Sequence, residues 1–154
     1  MEPPIEVVYL ESIQELPSIL LKQAPYFTLL LACDASSLAD DEILHNLKPL
    51  VDVGLVYASA WGPDCSRVHD LVDHIVVLNE FAGDERDYFL MTTWHSHESL
   101  EDTTWHFKEC ALPSEQHVFD NFSRVAVAIG NRDWADVIQR SLEKIADGRW
   151  EYDD

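Results

Sequence analysis

The strongest constraint on the fold is a fourfold alternation between short apolar runs and amphipathic segments. The first run, residues 26–33 (YFTLLLAC), is apolar almost throughout, which is typical of a strand covered on both faces. Each run precedes a stretch whose apolar residues recur at helical spacing, as Ile43, Leu47 and Leu50 do after the first run. The four predicted strands are residues 26–33, 55–60, 88–93 and 122–129.

Capping and turn residues predict where the helices begin and end. Ser37 with Asp40 has capping-box spacing, so we expect the first helix to begin there and to end at Pro49 and Gly54. Ser99 has the same spacing to an acidic residue, and it is expected to cap the helix that follows the third strand.

Four successive strand–helix units predict a parallel sheet, because parallel neighbours need crossover connections. We expect a small doubly wound, flavodoxin-like (Rossmann-like) three-layer α/β domain with a mainly parallel sheet of four to five strands. Counted from residue 26, the simplest strand order is 2-1-3-4. The whole chain is expected to form one domain, with an N-terminal edge strand (6–11) and short helix (13–21) within residues 1–24, the four units in 25–148 and an acidic tail in 149–154.

The charge of the chain bears on its partners. There are 10 Lys and Arg residues against 29 Asp and Glu, which gives a net charge of −19 with His neutral. A field of this sign repels phosphate backbones and anionic membranes and attracts basic partners. We therefore expect no direct nucleic-acid binding and no membrane association. The acids serve either solubility or the binding of a basic protein partner.

The N-terminus and the cysteines bear on the compartment. The sequence MEPPIEVVYLE lacks the basic start and apolar core of a signal peptide, and no apolar run has the length of a membrane span, so we expect a cytoplasmic protein. Cys33, Cys65 and Cys110 are odd in number and form no CxxC pair, which argues against a disulfide framework and a Cys-rich zinc site. Reduced thiols are expected.

Candidate site residues follow the predicted strands. Open parallel sheets bind ligands beyond the carboxyl ends of their strands, and there the sequence places Asp34, Asp64, Cys65 and His95. Cys65 falls on the first turn of a helix that Asp64 is expected to cap, so it could act as a nucleophile with His95 as base and an aspartate orienting the imidazole. The alternative is a buried, unreactive thiol.

A metal site is a second interpretation of the same segment. In an extended chain His95 and His97 would point to one side, and Asp34, Asp64 or Cys65 could complete a tetrahedral set. The histidines also fit a polar turn entering a capped helix, in which Thr93 and His95 join neighbouring loops by hydrogen bonds. No GxGxxG, Walker A or GxSxG segment is present, so we expect no nucleotide cofactor and no serine-hydrolase chemistry, and we expect no cofactor of another kind.

Two segments carry a family resemblance. WGPDC (61–65) and MTTWHSHESLEDTTW (91–105) resemble the signature segments of a family of small bacterial proteins of uncharacterised function. That family pairs a WGxDC turn with a TTWH segment leading into a helix with another Trp. The resemblance covers about residues 61–107. It implies the same α/β fold and no particular activity.

Three functional hypotheses follow. The first is an acidic cytoplasmic protein that neutralises or regulates a basic protein partner, as an immunity protein does for a toxin. The alternative is a small enzyme that uses Asp34, Asp64, Cys65 and His95. A third is mimicry of nucleic acid by surface carboxylates, which would need acids arrayed along one face. The oligomeric state and the identity of the partner stay open at this point.

Overall fold

The computed structural model describes residues 2–23 and 25–151, and its centre is a parallel β-sheet. The described residues form five strands in the order β1-β5-β2-β3-β4, and every neighbouring pair is parallel. The strands are Ile5–Leu10 (β1), Tyr26–Ala32 (β2), Leu55–Trp61 (β3), Met91–Trp94 (β4) and Phe122–Ile129 (β5).

Helices cover both faces of the sheet. They are Leu16–Leu20 (α1), Asp40–Val53 (α2), Cys65–Phe81 (α3), Leu100–Cys110 (α4), Gln116–Phe119 (α5) and Arg132–Ala146 (α6). One buried core lies beneath α1, α2 and α3, and a second lies beneath α4 and α6. The expected flavodoxin-like, three-layer α/β class is therefore confirmed. In the part of the chain that is described, no helix is both long and apolar enough to cross a membrane.

The central strand β2 shows why a continuous apolar run predicts burial on both faces. Successive side chains of a strand point to opposite sides. Leu29 and Leu31 pack in the core beneath α2 and α3, whereas Leu30 and Ala32 pack in the core beneath α4 and α6. The run therefore supplies apolar contacts to both layers.

The predicted strand order is wrong. β2 lies between β5 and β3, and β4 is at the edge next to β3, instead of the order 2-1-3-4 counted from β2. The physical reason is burial: Val125, Ala126, Val127 and Ala128 of β5 are fully buried, so this strand needs an interior position. The predicted N-terminal edge strand and short helix are confirmed at β1 and at residues 13–20.

The third predicted strand is shorter than expected and is not buried. It was expected at residues 88–93 but comprises Met91–Trp94, and both end residues are exposed. An edge strand pairs on one side only, and before it the Phe89 N–H donates to Glu115 Oε1 at 3.0 Å instead of joining a ladder. β4 is therefore a four-residue edge strand.

The helix ends confirm part of the capping prediction. α2 begins at Asp40, but Ser37 ends a separate 3₁₀ turn, and the Glu42 carboxylate accepts the Ala39 N–H at 3.2 Å. Pro49 lies inside α2 and does not end it, because the helix continues through residue 53 with one missing N–H. Gly54 does end it. For α4 the prediction is confirmed, since Ser99 Oγ accepts the N–H three residues later at 3.1 Å.

Candidate functional site

The carboxyl ends of β2, β3 and β4 form one rim of the sheet. Asp34 follows β2, Asp64 and Cys65 follow β3, and His95 follows β4. Because these strands are parallel neighbours, the four residues lie at the same edge. The strand order differs from the expected one, but the order found keeps these three strand ends adjacent.

The loop after β3 is held against the loop after β2 by a close backbone approach. Gly62 has a positive φ of 116°, and a Cβ built at this position would lie 2.2 Å from the Cys33 carbonyl oxygen. The Cys33 N–H donates to the Trp61 carbonyl at 3.1 Å, and the Ala35 N–H donates to the Pro63 carbonyl at 3.0 Å. Only glycine allows this approach at position 62, which explains the WGPDC turn.

Arg67 joins the same two loops through its side chain. Its guanidinium donates to the Asp64 carboxylate at 2.8 Å and to the Asp40 carboxylate at 2.7 Å. It also donates to the carbonyl oxygens of Ala35 and Leu38. Asp64 occupies the cap position of α3, but its carboxylate makes no side-chain cap bond. The predicted cap position is confirmed, but the side-chain cap bond is not formed because that carboxylate binds Arg67 instead.

Asp34 serves its own turn. One oxygen of its carboxylate accepts both the backbone N–H, at 3.0 Å, and the hydroxyl of Ser36, and thereby caps the 3₁₀ turn of residues 35–37. Asp34 also lines a crevice of about 470 Å³ between the ends of β1, β5 and β2, together with Asn131 and Trp134. The helix that follows β2, α2, packs on one face of the sheet, and the helix that follows β5, α6, packs on the other face. The crevice lies between the ends of these two strands. Asp34 thus belongs to a crevice on the β5 side of the rim.

Cys65 and His95 do meet, but through the backbone of His95. The Cys65 side chain is buried, and burial raises the pKa of its thiol. The backbone N–H of His95 opposes this effect by lowering the pKa. The same N–H donates to the Ala60 carbonyl at 3.0 Å. The thiol is therefore held protonated at neutral pH.

The imidazole of His95 is directed towards β4 and the turn after it. Nε2 lies 3.0 Å from Thr93 Oγ1, which is itself 3.1 Å from Ser59 Oγ. Nδ1 lies 3.1 Å from Glu98 Oε2, although the angle is outside the range of a hydrogen bond, so this is a close ion-pair distance only. Thr93 and His95 are hydrogen-bonded as expected, but to each other and to Ser59 of the paired strand β3, and these bonds do not join neighbouring loops. The ring's close polar neighbours are thus Thr93 and Glu98.

His106 is the residue that sequence reasoning missed. Its ring centroid lies 4.8 Å from that of His95, and its Nδ1 is buried without a hydrogen-bond partner among the described residues. Burial lowers the pKa of His106, and the neighbouring His95 lowers it further. The signal in the sequence is its position four residues after Asp102 and three after Thr103, two other inward polar residues of α4.

The described residues do not provide a full set of ligands for the predicted metal site. His97 is exposed and lies in the turn after His95. Within residues 2–23 and 25–151, no three His, Cys, Asp or Glu side chains are grouped closely enough to hold a metal ion. The catalytic roles of Asp34, Asp64, Cys65 and His95 stay predictions, with the first two bound to other partners.

Comparison with known proteins identifies the family. The family model described as Domain of unknown function (DUF7684) matches residues 5–145. The chain belongs to this family. The expected membership in a family of uncharacterised function is thereby confirmed. No curated protein matches the chain, and no solved structure matches it.

Proposed function

We propose that this chain is an acidic binding protein that recognises a basic protein partner. The observation that carries the proposal is the separation of its charges. Among the described residues, Asp102 is the only buried acid, and nearly all other carboxylates are exposed. Carboxylates at the surface attract and orient a basic partner before contact.

Several of the few basic residues are used inside the molecule. Arg124 is 1% exposed and donates from Nη2 to the Phe107 and Lys108 carbonyls at the end of α4. Arg86 donates to the Val51 carbonyl at 2.6 Å, and Arg67 joins two loops as described above. Three of the 10 basic residues thus make structural hydrogen bonds to main-chain carbonyls, although Nε and Nη1 of Arg124 have no hydrogen-bond partner among the described residues. Arg67 and Arg86 also pair with three carboxylates, those of Asp40, Asp64 and Asp84, but most of the 29 acids have no Lys or Arg partner among the described residues.

In this role the protein acts in the cytoplasm of a bacterium and neutralises or regulates its partner, in the manner of an immunity protein. We favour a protein partner over mimicry of nucleic acid because exposed acids lie on α2, α3, α4 and α6 and not along one face. We do not extend the proposal to a thiol enzyme, because burial keeps the Cys65 thiol protonated and the imidazole of His95 is directed towards Thr93 and Glu98.

The test is capture at controlled salt. The full chain, immobilised, is exposed to extract of its own cell at low ionic strength, and an unrelated protein of similar net charge serves as control. We expect the chain to retain one basic protein that the control does not retain and that salt releases. Retention of no basic protein beyond those held by the control would overturn the proposal.

A further inference from the structure

The open edge of β4 carries large apolar side chains. Met91 and Trp94, at the two ends of the strand, are 53% and 48% exposed, and Phe89 just before it is 78% exposed. In the described part of the chain, β4 pairs with β3 alone. Its outer backbone N–H and C=O groups therefore lie beside three solvent-exposed apolar residues.

Helix α3 extends this apolar surface. The His69 ring lies 4.4 Å from the Trp94 ring, and Asp73 accepts the Thr92 hydroxyl at 2.9 Å, so α3 runs antiparallel beside β4. Four helical residues advance about 6 Å and two strand residues about 6.6 Å. Val77, four residues beyond Asp73, therefore continues along the strand, and it is 45% exposed.

We define the β4 edge surface by its exposed apolar residues. Phe81 lies a further turn along the same ridge of α3 and is 86% exposed. The β4 edge surface comprises Val77, Phe81 and Trp94 on the α3 face of the edge, Met91 on the opposite face, where its partner Tyr57 packs, and Phe89 just before the strand. The open edge of β4 thus has exposed apolar side chains on both faces of the sheet, which is where the alternating side chains of an added strand would lie.

The two edges of the sheet differ in their protection. Natural proteins protect edge strands with charges, prolines, covering side chains or short length, and within the residues described β4 has only the last of these, its length of four residues. β1 follows Pro3 and Pro4 and contains Glu6, and the Arg132 guanidinium covers Tyr9 at 4.1 Å from the ring centroid. The sequence of β4, MTTW, contains neither a charge nor a proline. β4 is the edge that is left available for pairing.

Acids border the β4 edge surface. Residues 68–98 contain seven Asp and Glu residues and one Arg. All seven acids are exposed, and among the described residues Arg86 pairs with only one of them, Asp84, at 2.9 Å, besides its bonds to main-chain carbonyls of α2. The acids are Asp70, Asp73, Glu80, Asp84, Glu85, Asp87 and Glu98. An apolar centre is thus framed by negative charge.

We propose that the β4 edge surface binds an extended segment of a basic protein, which pairs with β4 as an additional strand. This inference rests on the proposed function and names the surface that performs it. Strand addition supplies main-chain hydrogen bonds, and side-chain contacts supply the specificity. The segment places apolar side chains on Met91 and Trp94 and its Lys and Arg residues against the bordering carboxylates. A second copy of this chain is a poor occupant, because it would bring seven further acids to the same border.

The test compares two doubly substituted chains that carry the same change of charge. Phe89→Ser with Met91→Lys alters the β4 edge surface. Leu21→Ser with Ala146→Lys alters two other exposed apolar residues, one just after α1 and one at the end of α6, which packs beside β1 at the other edge of the sheet. The probe is the basic protein that the unaltered full chain retains from extract of its own cell, identified by mass spectrometry and then purified.

We expect the β4 edge variant to bind this basic protein about tenfold or more weakly, and the control variant to bind as the unaltered chain does. Equal binding by both variants would overturn the inference and leave the proposed function standing. Retention of no basic protein by the unaltered chain would overturn the proposed function and the inference with it. A concentration-dependent dimer of the unaltered chain that the β4 edge variant abolishes would identify a second copy as the occupant and overturn the inference.

A second measurement covers the case in which the β4 edge variant does not fold. Amide hydrogen exchange is followed in the unaltered chain with and without the purified basic protein. Pairing with an added strand should slow the exchange of amides in residues 89–95 and leave those of β1 unchanged. Unchanged exchange at β4 in the saturated complex would overturn the inference.

Discussion

Replacing Arg67 with methionine tests whether one side chain holds the rim of the sheet together. The substitution keeps an apolar stem of similar length and removes the guanidinium. Four acceptors then lose their donor: the carboxylates of Asp40 and Asp64, and the carbonyl oxygens of Ala35 and Leu38. The arginine side chain is 25% exposed, so water can replace part of what is lost.

The magnitude follows from the exposure of each acceptor. Asp40 and Asp64 are 62% and 41% exposed, and exposed ion pairs contribute at most about 0.5 kcal/mol each. The two carbonyl oxygens lie in partly buried positions, and a hydrogen bond from a charged donor contributes about 1–1.5 kcal/mol after a discount for solvent. Together these losses lower the free energy of unfolding by about 3 kcal/mol, which lowers Tm by about 6–12 °C in a chain of this size.

Urea unfolding followed by circular dichroism measures this loss, with Arg132→Met as the matched control. Arg132 is 74% exposed and pairs with Glu11 at 3.6 Å, so the same substitution there should lower stability by less than about 1 kcal/mol. Arg67→Lys should lie between the two, because an ammonium cannot serve all four acceptors at once. Equal losses for the Arg67 and Arg132 methionine variants would refute the claim that Arg67 joins the loops.

Three further predictions concern the thiols and histidines. At mildly alkaline pH an aromatic disulfide reagent should titrate one thiol of the native chain rapidly, that of the exposed Cys110, and the two buried cysteines only after unfolding, because burial raises their pKa; three fast thiols would contradict this. Burial lowers the pKa of His106 in the folded chain below its ordinary value of 6.5. As pH falls through 6.5, this imidazole therefore binds a proton more readily in the unfolded chain than in the folded one, and the free energy of unfolding falls. In urea unfolding, the free energy of unfolding should therefore fall less between about pH 7 and about pH 5 for the His106→Phe variant than for the unaltered chain. An equal fall in both would rule the effect out. In a double-mutant cycle, Asp64→Asn and His95→Asn should be additive within about 0.5 kcal/mol, because their side chains have separate partners, and a larger coupling would show that they interact.

The sequence predicts the interior of the fold better than its edge. β2 and β5 are found because burial on both faces requires continuous apolar residues, which a sequence displays directly. The pattern places β4 too early because Tyr88 and Phe89 are aromatic, although their backbone does not join the sheet. The hydrophobic pattern does not predict the strand order. The order depends on the connection after β4, which crosses back past β3 and β2 and places β5 between β2 and β1.

For the candidate site, the position was predictable but the interactions were not. The carboxyl ends of parallel strands meet at one rim whatever the order of the helices, and this placed Cys65 near His95. The role of Arg67 depends on carbonyl groups 32 and 29 residues away in the chain, and backbone acceptors leave no mark in a sequence. His106 was missed because its partner, His95, is brought to it only when α4 packs on the sheet.

The most direct test of the central claim is the ionic-strength dependence of the association rate between the full chain and its captured basic partner, measured by stopped-flow fluorescence. Raising the salt from about 0.01 M to about 0.15 M shortens the screening length from about 30 Å to about 8 Å. If exposed carboxylates attract the partner, the association rate constant should fall about tenfold or more, while the dissociation rate constant changes much less. An association rate constant that does not change with salt would contradict the account.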